Sequence, residues 1–211
     1  MKGEPRCPRC GGPLRRPGLY ADDWQCDAHG GVPPLHPAAA PSAAALGAVV
    51  ERAGVPVWLP WPLPRGWLHT GAHYAGDGRS GAPAVAVACS GPGPLGGLGE
   101  MVLVSEELGV GLGAHYAGLP GYDPGPALAE TPSDAKVTAA GRPTPLWSLR
   151  DAPADRAVFV GEAMGMWLWA VLWPNAAGVL MYDDLALSDL RDDTGPELEA
   201  LPCGALSPRL G

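Results

Sequence analysis

The chain has 211 residues, enough for a small module and one main domain with its own core. Its 31 Gly and 26 Pro, set against a single Phe and 17% charged residues, favour short strands and turns over long helices. The net charge of −8 divides into +1 over residues 1–31 and −9 beyond them, so the main body is acidic and a poor match for a phosphate backbone.

The chain starts in charged residues and prolines, with no apolar stretch of signal-peptide length, so we expect no leader. The most apolar run, Met164 to Met181, is broken by Pro174-Asn175 and flanked by Glu162 and Asp183, and it fails as a membrane span. Three of the five cysteines fall in one N-terminal pattern, and the other two, Cys89 and Cys203, stand alone. That usage points to metal-bound thiolates in a reducing cytoplasm rather than to disulfides.

That pattern organises residues 1–31. Cys7-Pro8-Arg9-Cys10-Gly11-Gly12 is followed by Cys26-Asp27-Ala28-His29-Gly30, with an arm of fifteen residues between Cys10 and Cys26. Two thiolates two residues apart grip one ion from a tight turn, and a second pair completes a tetrahedron. We expect a structural zinc ribbon with Cys7, Cys10, Cys26 and His29 as its four ligands and Trp24 covering the ion from one side. A redox Cys-x-x-Cys pair would need a preceding strand and a following helix, and neither is expected here. So small a ribbon takes its folding energy from the metal.

Residues 32–54 read as a Pro/Ala linker that spaces the ribbon from the body, ending in a helix. Ser42 is its expected N-cap, Ala45, Leu46, Val49 and Val50 are its apolar face, and Gly54 is its stop. Four prolines between Val55 and Pro64 predict an extended strap that buries Trp58 and Trp61.

From residue 66 the pattern is β. Strands are expected at 67–74, 84–89 and 101–104. His69 and His73, four apart on a strand, would share a face but stand about 13 Å apart, too far to hold one ion. The turn at Cys89, Ser90, Gly91, Gly93, Gly96 and Gly97 has the G-x-G-x-x-G spacing of a phosphate cradle and offers two nucleophiles. Pro92 and Pro94 remove two amides, however, and a strand rather than a helix is expected next. Residues 109–119 read as extended chain, 120–132 as a loop, and 136–140 and 144–147 as peripheral strands. The core is completed by strands at 157–162, 166–173 and 179–182, with a hairpin turn at 174–178. Trp167, Trp169, Val171 and Trp173 share one face of the middle strand, and Met166, Leu168, Ala170 and Leu172 the other. Apolar on both faces means a covered central strand. A Trp ladder could also serve as an aromatic platform, and Glu162, Asp183 and Asp184 are a conceivable carboxylate set. The tail from 192 to 211 is expected to pack loosely.

The N-terminal pattern resembles a zinc ribbon. The strings at 55–64, 88–97 and 202–210 resemble an uncharacterised protein family of high-GC actinobacteria, a resemblance that spans the chain and implies no activity. The expected architecture is α+β: a zinc ribbon (1–31), a linker with a helix (32–54) and a mainly antiparallel-sheet domain (55–211). The leading functional expectation is a non-enzymatic module that docks another protein through the ribbon and holds one structural Zn2+. The runner-up is an enzyme or nucleotide-binding protein built on the 89–99 loop, with catalytic residues unknown. The weakest is nucleic-acid binding through Arg6, Arg9, Arg15 and Arg16.

Overall fold

In the computed structural model, residues 3–19, 21–125, 131–192 and 198–210 are described. Tyr20 and parts of the expected 120–132 loop and 192–211 tail lie outside them. The elements run β1 (Gln25–Cys26), β2 (Gly30–Gly31), α1 (Ala43–Val50), β3 (Trp58–Pro60), β4 (Leu68–Ala75), β5 (Ala84–Pro92), β6 (Leu98–Glu106) and α2 (Leu112–Ala117). They continue through β7 (Ala135–Ala139), β8 (Arg142–Ser148), β9 (Ala157–Ala163), β10 (Met166–Trp173), a 3-10 helix (Asn175–Tyr182), β11 (Ala186–Asp189) and a 3-10 turn (Pro208–Leu210).

β1 and β2 form a small hairpin; the other nine strands make one sheet in the order β3-β11-β7-β8-β9-β10-β6-β5-β4. Every pairing in that order is antiparallel except β7 with β11. The sheet curls, bringing β3 at one edge into contact with β6. The fold is thus mostly β, with few and short helices.

β10 lies inside the sheet, and its two faces are those its alternation predicts. Met166, Leu168, Ala170 and Leu172 join α1, β3 and the 3-10 helix in one core. Trp167, Trp169, Val171 and Trp173 join α2, Leu35 and Leu210 in the other. Each Leu or Val fully buried here contributes about 1.5–3 kcal/mol.

Several expectations are corrected by contacts distant in sequence. Residues 112–117, read as extended, are helix α2, bracketed by Gly111 and Gly118 in left-handed conformations. The strand expected at 179–182 is the end of the 3-10 helix, which also replaces the hairpin turn at 174–178. The strand that follows is β11 instead. β7 and β8, expected at the periphery, lie inside the sheet. The Pro-rich strap becomes edge strand β3, paired with β11; Trp58 is buried and Trp61 half-buried.

Helix α1 begins where expected, with the Ser42 hydroxyl accepting from Ala45 N at 3.1 Å. It ends at Val50, before Gly54, whose close approach to Gly81 leaves no room for a Cβ. The linker does not act as a spacer. Leu35 exchanges two 2.8 Å backbone hydrogen bonds with Arg6, and His36 N donates to Tyr74 O at the end of β4 (2.9 Å). The tail is also engaged: His69 N donates to Pro202 O, Gly204 N to His69 O and Ser207 N to Thr70 O, so its described part runs along β4.

Candidate metal site

Two tight turns face each other in the first thirty residues. In the first, Gly11 N donates to Cys7 O (2.8 Å) and Cys7 N to Gly12 O (2.9 Å), a turn closed by Gly11 at φ +66°. In the second, Cys26 pairs with Gly30 across the β1–β2 hairpin, and Gly30 also has positive φ. The arm between them is held to the second turn by reciprocal bonds between Arg15 and Gln25.

These turns bring together all four expected ligands. The three Sγ atoms and His29 Nδ1 lie within 4.8 Å of one another, close enough to hold a metal ion. Cys10 Sγ is 3.8 Å from Cys26 Sγ, and His29 Nδ1 is 3.5 Å from Cys26 Sγ and 3.6 Å from Cys7 Sγ. A tetrahedral ion with ordinary zinc bond lengths has edges of about 3.8 Å between sulfurs and about 3.5 Å from sulfur to nitrogen. The spacing therefore fits a single ion, and the thiols are free rather than disulfide-bonded.

Burial pushes the Cys7 thiol up to about 12. Burial also raises that of Cys26, but hydrogen bonding from the Ala28 amide and the His29 ring outweighs it and brings the group down to about 6. Metal binding must displace the remaining protons, so affinity falls with acid. Leu14 and Val32 pack with Cys7 and Cys26 in a small separate core. Trp24 lines a groove with Pro33, Pro34 and Asp77.

Arg9, inside the first turn, fastens the site to the segments on either side of α2. Its Nε donates to Val110 O at 3.1 Å, its Nη2 to Gly109 O, and its guanidinium lies 4.9 Å over the Tyr122 ring. Sequence spacing gave no sign of this clasp, which spans about a hundred residues.

The glycines at 91–97 sit on the β5–β6 hairpin. Gly93 N donates to Gly97 O (2.9 Å) and Gly96 N to Gly93 O (3.0 Å), so both amides are used within the turn. A Cβ on Gly91 would stand 2.5 Å from Trp67 Cδ1, so that glycine makes room for a ring. Cys89 is buried, its thiol pushed up to about 12 by burial and then by Cys203; Ser90 pairs with Glu100 in the ladder. Glu162, Asp183 and Asp184 are all exposed. His69 and His73, expected on one face, lie on opposite faces because a bulge at Thr70 shifts the register: His69 stands opposite Cys89 and His73 opposite Ala86.

Sequence reasoning missed two buried carboxylates. Glu106, at the end of β6, accepts from Leu112 N (2.7 Å) and Gly113 N (3.1 Å) and so caps α2. Asp189 binds Arg191 at 2.7 Å and accepts from Val57 N at 3.0 Å. The faint signal for the first is an acid six residues ahead of a Gly-bracketed apolar stretch.

A family model matches residues 1–210, the Cys/His segment and the sheet together. The chain belongs to DUF6758, a family of unknown function. The extent of the DUF6758 match agrees with the contacts, since Arg9, Leu35 and His36 bind the metal-site segment to the rest of the fold. No curated protein and no solved structure shows significant similarity to the chain.

Proposed function

We propose that this DUF6758 chain is a zinc-ribbon protein of a reducing cytoplasm, acting as a non-enzymatic module that docks another protein, with one structural Zn2+ on Cys7, Cys10, Cys26 and His29. The observation that carries this reading is the closed ligand set. Four protein atoms within 4.8 Å of one another, three of their separations at tetrahedral-edge length, would fill the shell of a zinc ion and leave no position for water or substrate. The ribbon arm supports docking, because Leu19 at its tip is 98% exposed.

The same geometry weighs against the other two readings. Amides of the Gly-rich turn are bonded within the hairpin, and the following segment is a strand rather than the helix a phosphate cradle opens. Of the four N-terminal arginines, Arg9 holds the 109–110 carbonyls, while Arg15 pairs with Asp27 and Arg16 with Glu4. That leaves little cationic surface for a nucleic acid.

Metal analysis of purified protein tests the zinc assignment: one Zn2+ per chain is expected, falling to near zero in the Cys7→Ser, Cys10→Ser pair. Cobalt substitution should give the visible spectrum of a tetrahedral thiolate site. An octahedral spectrum, or metal retained in the double variant, would sink the assignment. For docking, cross-linking capture with zinc-loaded wild type and zinc-loaded Leu19→Asp should differ by a discrete protein; identical capture rules out the arm.

A further inference from the structure

Beside the metal turn, on the side facing the sheet, is a cavity of about 230 Å3. Its walls come from stretches far apart in sequence: Arg6 before the first turn, Leu35 in the linker, His73 on β4, His115 and Tyr116 on α2, and Arg209 in the tail. The cavity is therefore a product of the whole fold. Its size equals the share of roughly seven or eight waters, which suits a small molecule and excludes a nucleotide or peptide.

Arg6 and Arg209 are both among the cavity's lining residues. Among the described residues Arg6 has no side-chain hydrogen bond or ion pair, unlike Arg9, Arg15 and Arg16. Arg209 lies 4.8 Å over the Trp173 ring and uses Nε, at 3.3 Å, for Glu100. Among the described lining residues the carboxylate is Glu4, an exposed side chain 3.7 Å from Arg16. Since Arg209 is ion-paired with Glu100, Arg6 is the lining cation that has no ion pair among the described residues.

The inner wall offers neutral polar groups. His73 Nε2 and Tyr116 Oη are 2.7 Å apart, both buried. Burial, then the neighbouring His115, pushes His73 down to about 3; burial lowers His115 too, and the Arg156 charge adds to it. Leu35 and Leu210 supply apolar surface. These histidines do not form a second metal site: among the described residues, the Cys/His cluster of the ribbon is the group with ligand atoms close enough to hold an ion.

We propose that this junction cavity binds a small oxyanion, a carboxylate or phosphate group carried on a short body, with the charged group between Arg6 and Arg209 and the body against Leu35 and Leu210. Charge-assisted bonds from a guanidinium to an oxyanion are the strong class of hydrogen bond, and in a partly closed site each is felt in affinity.

The test is titration calorimetry on full-length, zinc-loaded protein with inorganic phosphate and with butyrate, at ionic strength held constant with sodium chloride. Saturable one-to-one binding of at least one of them is expected, and which one binds identifies the charged group. Arg6→Gln should weaken it by at least about tenfold, and Arg15→Gln should leave it unchanged. Arg6→Gln removes no side-chain hydrogen bond or ion pair among the described residues, so its melting temperature should match wild type, and it decides the matter even if Arg209→Gln loosens the tail. No saturable binding of either anion up to roughly 10 mM, or equal affinity in Arg6→Gln, overturns the proposal. Metal content measured on the same samples keeps this outcome separate from the zinc assignment.

Discussion

Glu106 has no exposed surface, yet its carboxyl group accepts two backbone hydrogen bonds from the start of α2. Burial pushes it up to about 7, although the amides of Leu112, Gly113 and Gly111 pull the other way. A folded-state value above the unfolded one means that the folded chain holds the extra proton. The stabilisation is complete below the ordinary carboxylate range and is lost as pH rises through about 7. The protein should therefore melt lower at pH 8 than at pH 6, by an amount worth about 1 kcal/mol. Glu106→Gln should flatten that slope; parallel slopes for the two proteins would place the sensitivity elsewhere. Opposite this carboxylate, Gly113 gives Trp169 its place, since a Cβ there would stand 2.2 Å from the indole Cδ1. Gly113→Ala should cost about 1–3 kcal/mol in chemical denaturation, despite alanine's higher helix propensity. The sequence hid both residues for one reason. A six-residue helix with Gly113 inside it and Gly111 and Gly118 at its ends has no readable 3.6-residue period, and without the helix neither the acid nor the glycine has a visible neighbour.

Between elements, the closest counterpart is the clamp at β11. Asp189 is buried, bonded to Arg191 and to Val57 N at the entrance to β3, while Arg191 Nη1 reaches Gly54 O at 3.3 Å. One carboxylate thus ties the last long-range strand to the Pro-rich edge and to the end of the α1 segment. Asp189→Ala should cost roughly 2–4 kcal/mol and shift Trp58 emission to the red, as its strand loosens from the sheet. Unchanged fluorescence would mean that β3 is held by its packing alone. Local pattern disclosed β10 completely, because two apolar faces in strict alternation have one structural solution. It failed at 179–182, where Val-Leu-Met-Tyr suits a strand but the chain turns as a 3-10 helix to cover β7, β9 and β10. Which partner a short apolar run covers is a tertiary choice, and propensity does not record it.

For the molecule as a whole, the metal site and the sheet have separate cores joined by a few polar contacts. Chelation should then raise amide exchange over residues 3–37 and around 109–111, where the Arg9 clasp is released, while β5, β6 and β10 stay protected. Mass-resolved hydrogen exchange with and without chelator measures this; loss of protection across the whole sheet would make the ion integral to it. The Cys/His cluster was legible because a metal site imposes fixed spacing on neighbours in sequence. The docking of its segment was not, since it depends on Arg9, Leu35 and His36 finding backbone groups 29 to 101 residues away.

The pairing of β3 with β11 also sets a timetable. Leu187 stands opposite Pro60, so the edge strand has no partner until about 127 more residues have been made. At ordinary synthesis rates that is roughly 6–25 seconds. Throughout it, Trp58 and Leu59, both buried in the finished fold, remain without the strand that completes their shelter. A nascent chain of this design depends on delay without aggregation, and ribosome-bound chains stalled before residue 186 should recruit holdase chaperones that full-length chains release.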